Sequence, residues 1–282
     1  MPGTRRAPLA AAALSRRYLR GMSQPIEPAF ARALEFERGT LELLAETVSP
    51  IEGGWLILQP SLPVVWSINQ VRVARPIDYA EAVALADEHL GDLPYRQLAI
   101  EDQASGEALE QAFRADGWRV YRNVTMVLAR EPPRDVDTGL VVEPSEDEAL
   151  ALMRRWSAED PELKLSGDPL RQVVEFSRLS WRARRAVRLG VAGRDGALAA
   201  ITALFSDGAI AQIEDVYTVP EERRQGHARA ALTRAATLAL DADHELTFIV
   251  ADDNDWPKQL YAQIGFEPVG RVWLFHRDVG PR

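Results

Sequence analysis

The junction at residues 219–228 limits the folds open to this chain more than any other stretch. It carries an apolar strand directly into an arginine-rich, glycine-bearing turn that opens an alanine-rich helix. Ile210, Ile213, Val216, Tyr217, Thr218 and Val219 favour a strand, and Pro220 has no N–H to give to a ladder, so the strand should stop there. Ala228, Ala231, Leu232, Ala235 and Ala239 then recur at helical spacing, which predicts a helix starting at or just after Gly226. The first amides of such a helix have no partner within it, and its dipole places partial positive charge there, a setting suited to phosphate or pyrophosphate. Gly226 removes the side chain that would block that approach. The turn is neither a P-loop nor a dinucleotide fingerprint, since it lacks both Gly-Lys-Ser/Thr and G-x-G-x-x-G.

A second motif follows. Phe248, Ile249 and Val250 form a short buried-strand run, then come Asn254, Leu260, Tyr261, Gly265 and Phe266. Asn254 is placed to cap a helix, Pro257 suits its first turn, and Gly265 can end it in the left-handed conformation. Tyr261 lies one turn after Pro257, on a face turned back toward the first motif.

Arg223-x-x-Gly226-x-Ala228 resembles the (Gln/Arg)-x-x-Gly-x-(Gly/Ala) signature of the GNAT acetyltransferase superfamily, and the run from Asn254 through Tyr261 to Gly265 and Phe266 is similar to that family's other hallmark. The resemblance covers 140–282 and implies that acetyl-CoA is a co-substrate. It implies that main-chain donors of Arg224, Gln225, Gly226, His227, Ala228 and Arg229 hold the pyrophosphate, with Arg223 and Arg224 adding charge. It also implies that the backbone of Val216, Tyr217 and Thr218 binds the pantetheine arm, that Asn254 contacts it, and that Tyr261 protonates the departing thiolate.

Many members carry a Glu where this chain has Gln212; Glu214, two residues on, shares its strand face, whereas Asp215 should face the other way. Glu214 is therefore the candidate base, acting directly or through water. The alternative, a structural Glu214 with a solvent chain taking the proton, stays open.

Organisation along the chain predicts an α+β, mixed-sheet architecture of two related halves, each a mostly antiparallel twisted sheet flanked by helices. Prolines and charges at 131–135 read as the linker between a first half at 23–133 and a catalytic domain at 139–282. In the second half Ser145 and Glu148 form a capping box, a further helix follows Pro169, and a meander of strands at 187–192, 198–205 and 210–219 leads into the cradle. The first half is a worn copy: an offset of 265 − 117 = 148 sets Gly117 and Trp118 against Gly265 and Phe266, and Phe113 against Tyr261. With a phenyl ring for the hydroxyl and no glycine at 74–78, this half is expected to bind no coenzyme and to complete the substrate cleft or an interface. An unrelated helical cap over a small sheet is the rival reading.

Composition narrows the partners. A net charge of −9 argues against nucleic acid or an anionic membrane surface, and zero Cys excludes disulfides, cysteine–zinc sites and a thiol-bound acyl intermediate. His89, His227, His244 and His276 show no metal-ligand spacing, so no metal is expected. The arginines at 171, 178, 182, 184, 185 and 188 read as a solvated helical face. Residues 1–22, basic and free of acids, read as a disordered extension or as a segment ahead of a true start at Met22. The expectation is a cytoplasmic N-acyltransferase acting on a primary amine of a small molecule or peptide, with oligomerisation open. The alternatives are a non-catalytic acyl-CoA sensor and a specialised tandem enzyme resembling mycothiol synthase.

Overall fold

The computed structural model describes residues 26–160 and 164–279, so the basic extension at 1–22 lies outside the described residues. One mixed sheet of eleven strands organises them, in the order β1-β2-β3-β4-β11-β5-β10-β9-β8-β7-β6. The first half supplies β1 (Thr47–Ile51), β2 (Gly54–Leu58), β3 (Gln70–Val73), β4 (Tyr95–Ile100) and β5 (Arg119–Leu128). The second supplies β6 (Val141–Val142), β7 (Val187–Ala192), β8 (Leu198–Ser206), β9 (Ile210–Thr218), β10 (Leu246–Asp252) and β11 (Phe266–Asp278).

The expected mostly antiparallel pairing is present, but the halves share one sheet instead of holding one each, because they exchange their last strands. β5 lies between β10 and β11, pairing Val127 with Phe248 on one side and Tyr121 with Leu274 on the other. β11 in turn lies between β4 and β5, with Phe275 opposite Leu98 and Val120. Both strands are long and rich in β-branched and aromatic residues, so each can complete a neighbour on both edges.

Among the described residues, seven α-helices flank this sheet: α1 (Ile26–Leu44), α2 (Tyr79–His89), α3 (Gln103–Ala115), α4 (Glu146–Glu159), α5 (Gly167–Ala183), α6 (His227–Asp241) and α7 (Pro257–Ile264). Helix α4 starts on the expected capping box, in which the Ser145 hydroxyl accepts from Glu148 N–H and the Glu148 carboxylate accepts from Ser145 N–H. Phe36, Met153 and Trp181 of α1, α4 and α5 join Phe248 in a core on one face, while Leu232, Ala236 and Ile264 of α6 and α7 pack with Ile249 and Phe266 on the other. Phe36 meets Phe248 edge-on at 5.6 Å, a contact worth about 0.5–1.5 kcal/mol beyond its burial.

Helix α1 bridges the halves. Arg184, at the end of α5, is buried rather than solvated: Nε donates to Thr40 Oγ1 at 2.8 Å, Nη2 donates to Phe36 O at 3.0 Å, and the guanidinium lies over the Phe36 ring. A Cβ at Gly39 would come within 3.0 Å of that Nη2, so a glycine in mid-helix lets the arginine approach. Of the arginines read as solvated, Arg171, Arg178 and Arg182 do make ion pairs at the surface of α5, with Asp168, Glu175 and Glu146.

Candidate active site

The cradle forms as its sequence demands. Gly226 is the N-cap of α6 with φ 89°, and Arg224 also takes a left-handed conformation at φ 63°. Side chains fix the turn from outside: Arg194 donates from N–H to Glu222 Oε1 and from Nη2 to Gln225 Oε1, His227 lies 3.3 Å from Glu222, and Arg155 pairs with Glu221 at 2.7 Å. Among the described residues, no protein acceptor takes the main-chain N–H of Arg224, Gln225, Gly226, His227, Ala228 or Arg229, whereas Ala230 N–H already bonds Gly226 O. A Cβ added at Gly226 meets no atom within 4 Å, so the side of the turn that it would occupy is open. Arg223 differs from expectation in part, because its Nε donates to Thr218 O at 3.1 Å and closes the end of β9.

Strand β9 leads into this turn through an irregularity. Its parallel pairing with β10 ends at Ile213 opposite Ile249, and its pairing with β8 shifts register between Ile201 and Ala203. Asp215, with φ 56°, is the extra residue of the resulting bulge. Beyond it, Val219 N–H bonds Ala199 O, so by antiparallel alternation Tyr217 also turns its main chain to β8, while Thr218 and Val216 turn theirs to the edge that β10 has left. Of the three residues expected to offer backbone to the pantetheine arm, Tyr217 is thus committed within the sheet. Its ring stacks on Trp156 at 5.0 Å.

The bulge also overturns the expectation that Asp215 faces away from Glu214: both line one cavity of about 510 Å³. Trp181 is buried in the core and donates from Nε1 to Asp215 Oδ2 at 2.6 Å. Gln212 Nε2 donates to Glu214 Oε1. The cavity floor runs across both halves, through Gln70 and Arg72 of β3, Gln97 of β4, Val272 and Leu274 of β11, Asn123 and Thr125 of β5, and Asp252 of β10. These are alternate positions, which strand geometry turns to one face. Helices α1 and α5 cover it, and α1 contributes Glu37, a residue the motifs gave no reason to select.

The carboxyls perturb one another. Burial pushes the Glu214 pKa well above its ordinary range, and the charges of Asp215 and Glu37 push it further. Burial likewise raises Asp215, opposed by the Trp181 hydrogen bond, and raises Glu37, opposed by Arg72. A carboxyl raised in this way holds a proton more firmly once it accepts one.

Tyr261, on α7, is buried, and burial together with Glu214 and Asp255 pushes its phenol pKa upward, so it stays protonated. Asn254 does not cap α7, whose N-cap is Trp256 with no side-chain bond. The turn before the helix takes Asn254 instead: its N–H donates to Asp252 Oδ1 and its Oδ1 accepts from Arg122. Among the described residues no cluster of His, Asp and Glu has the arrangement to hold a metal ion.

Residues 150–266 match the family model of the acetyltransferase (GNAT) family. That stretch, less than half of the chain, is similar in sequence to the family. Solved structures agree on its fold: a functionally unknown conserved protein from Staphylococcus epidermidis is 16% identical with a TM-score of 0.63, covering 83% of this chain and 94% of that one. A GCN5-related N-acetyltransferase from Kribbella flavida is 17% identical with a TM-score of 0.58, covering 88% and 95%. No curated protein matches the chain.

The matched stretch has a topological counterpart in the first half. Parallel β3 and β4 with α2 between them, then α3 and antiparallel β5, repeat the order of parallel β9 and β10 with α6, then α7 and β11. Helices α2 and α6 start at Tyr79 and His227, an offset of 227 − 79 = 148. Two differences separate the copies. Asp78 caps α2 with its own carboxylate, accepting from Glu81 N–H at 2.9 Å, and Phe113 is buried in contact with Phe275 and Trp118 where the second half has Tyr261.

Among the described residues, no helix is long and apolar enough to cross a membrane.

Proposed function

We propose that this protein is an acyl-CoA-dependent N-acyltransferase that moves an acetyl group from acetyl-CoA to a primary amine of a small molecule or peptide, directly and within a ternary complex. One observation carries the reading: main-chain donors without a protein acceptor stand at the start of α6, beside the gap where β9 leaves β10 and the carboxylate-lined cavity begins. The donors of Arg224 to Arg229 hold the pyrophosphate, with the Arg224 guanidinium beside them. The outward main chain of Val216 and Thr218 orients the pantetheine arm, and Asn254 flanks it.

Acetyl-CoA, when bound, supplies an activated acyl carbon and a thiolate leaving group. Glu214 takes the proton from the acceptor ammonium; its raised pKa makes it a better base near neutral pH than a free carboxylate. Tyr261 gives its phenolic proton to the departing sulfur. With no Cys in the chain, no protein thiol takes the acyl group in between. The first half binds no coenzyme, a reading supported by the Asp78 carboxylate at the start of α2, which would repel phosphate and already takes the Glu81 N–H. Its work is to close the acceptor cavity.

Calorimetry with acetyl-CoA tests the reading. Gly226→Val places a branched side chain in front of the donors and should raise the acetyl-CoA Kd at least about tenfold. The left-handed backbone adds a folding cost of about 1–3 kcal/mol, so melting is followed in parallel. A folded variant that binds as the wild type does would remove the cradle from this account.

A further inference from the structure

Glu37 is the one cavity carboxylate for which, among the described residues, no hydrogen bond or ion pair exists. Each of the others has a partner: Asp215 has Trp181, Glu214 has Gln212, and Asp252 has Asn254 N–H. The arginines whose charge reaches Glu37 are committed elsewhere. Arg72 gives Nε and Nη2 to Glu101 at 2.8 and 2.7 Å, and Arg38 Nη1 lies 3.9 Å from the same carboxylate. Enclosing a carboxylate without a cation or donor disfavours its charged form, and a positive ligand entering the cavity relieves that cost.

Its position is fixed. One turn further along α1, Thr40 is held by Arg184, so the helix cannot roll Glu37 out of the cavity without breaking that bond. Glu37 and Glu214 of β9 line the same cavity, and the charge of the one reaches the other. The rest of the lining agrees in sign. Glu37, Glu214, Asp215 and Asp252 face a single arginine, Arg72, which Glu101 already neutralises. A carboxylate on the ligand would meet this field without a free cation to receive it.

We propose that Glu37 is the acceptor-selecting residue: its carboxylate receives the ammonium of a cationic amine that bears no acidic group, and it positions that nitrogen beside Glu214. This rests on the acyltransferase reading above and deepens it by naming the charge class of the acceptor. Glu37 binds and orients; the proton goes to Glu214.

The test compares putrescine, butylamine and γ-aminobutyrate, of equal chain length and falling charge, in a thiol-release assay with acetyl-CoA and the full chain. Binding of putrescine to the protein saturated with coenzyme A is measured by calorimetry alongside. Wild type should prefer putrescine and butylamine over γ-aminobutyrate at least about tenfold in kcat/KM. Glu37→Gln should raise KM for putrescine, or its Kd where turnover is too slow to read, at least about tenfold. It should also lessen the discrimination against γ-aminobutyrate, and leave acetyl-CoA affinity unchanged. Glu37→Asp should restore part of the putrescine affinity, which a merely structural loss would not allow. Equal handling of the three compounds by wild type, or a Glu37→Gln variant that binds putrescine normally, overturns the proposal while leaving the acyltransferase reading intact. Failure of wild type to bind acetyl-CoA overturns that reading itself, and the acceptor assignment with it.

Discussion

Trp181 Nε1 donates to Asp215 Oδ2 at 2.6 Å, tying helix α5 to the bulged residue of β9. The bond holds in place a backbone that departs from strand geometry, with Asp215 at φ 56°, and the bulge is what brings Asp215 round to the side of Glu214 and turns the main chain of Val216 and Thr218 toward the open edge. A packing residue of α5 and the chemistry at β9 are therefore one unit. Trp181→Phe keeps an aromatic ring in the core but leaves a buried carboxylate without its donor. Loss of a hydrogen bond to a charged group should lower stability by about 1.5–3 kcal/mol, read as a lower urea midpoint. Turnover should fall with it, since the bulge loses its anchor; an unchanged midpoint would mean that the bulge is held by the sheet alone.

Glu214 carries the base role, and its environment makes that role visible in pH dependence. The groups facing it are Glu37, Asp215 and Asp252 within the cavity, Arg72 at the far wall, and the Tyr261 phenol. Because its pKa is raised, kcat/KM should climb with pH along an acidic limb set by Glu214 well above 4.5. Glu214→Gln should remove that limb and lower kcat about 10²–10⁴-fold with acetyl-CoA affinity unchanged. Stability gives an independent check with a defined sign. The native state binds the Glu214 proton more tightly than the unfolded chain, so the Glu214 contribution is full below the ordinary value of 4.5 and is lost as pH rises through the raised one. Glu214→Gln should flatten that decline. A variant with the wild-type limb would move the base role to a water chain.

Tyr261 is buried against Ile264, Leu232 and Ile249, and burial with the charges of Glu214 and Asp255 holds its phenol protonated across the assay range. Tyr261→Phe keeps the ring and its packing, so stability should move by less than about 1 kcal/mol. Acetyl-CoA affinity should also hold, because the donors at the start of α6 are main-chain groups. Only kcat should fall, about 10²-fold or more, as expected for loss of a positioned acid. Unchanged turnover would assign protonation of the sulfur to solvent.

Local chemistry was the legible part of this molecule. Ser145 with Glu148, Gly226 after an apolar strand, and Pro257 with Gly265 each dictate a conformation from a few neighbouring residues, and each is found as read. Asn254 shows where that logic ends, since an Asx-type turn on Asp252 takes it in place of a cap for the helix that starts three residues on. Side-chain alternation predicted the face of Glu214 but not that of Asp215, because one inserted residue reverses the count. The strand exchange was hidden for a different reason. β5 and β11 are both long and rich in apolar residues, and nothing local says which half each will complete. Glu37 was hidden by distance. It lies more than half the chain away from Glu214 in sequence, and its free carboxylate acquires meaning only once α1 closes over a floor built from both halves.

That exchange makes a prediction about the linker. A protease site inserted at 135–138, an exposed or half-buried turn between the halves, allows the chain to be cut without touching the sheet. Separating the two pieces would require breaking β5 from both β10 and β11 and β11 from β4, leaving open apolar edges on each. It would also break the contact of Arg122, on β5, with the buried Asp253 at 2.8 Å. Burial alone would raise the Asp253 pKa, but Arg271 and Lys258 outweigh it and hold the carboxyl at about 2, so this junction stays charged at neutral pH. The cut protein should therefore elute as one species in size-exclusion chromatography, keep its melting transition cooperative, and fall into two fragments only in denaturant. Spontaneous separation in native buffer would show that each half carries a sheet of its own.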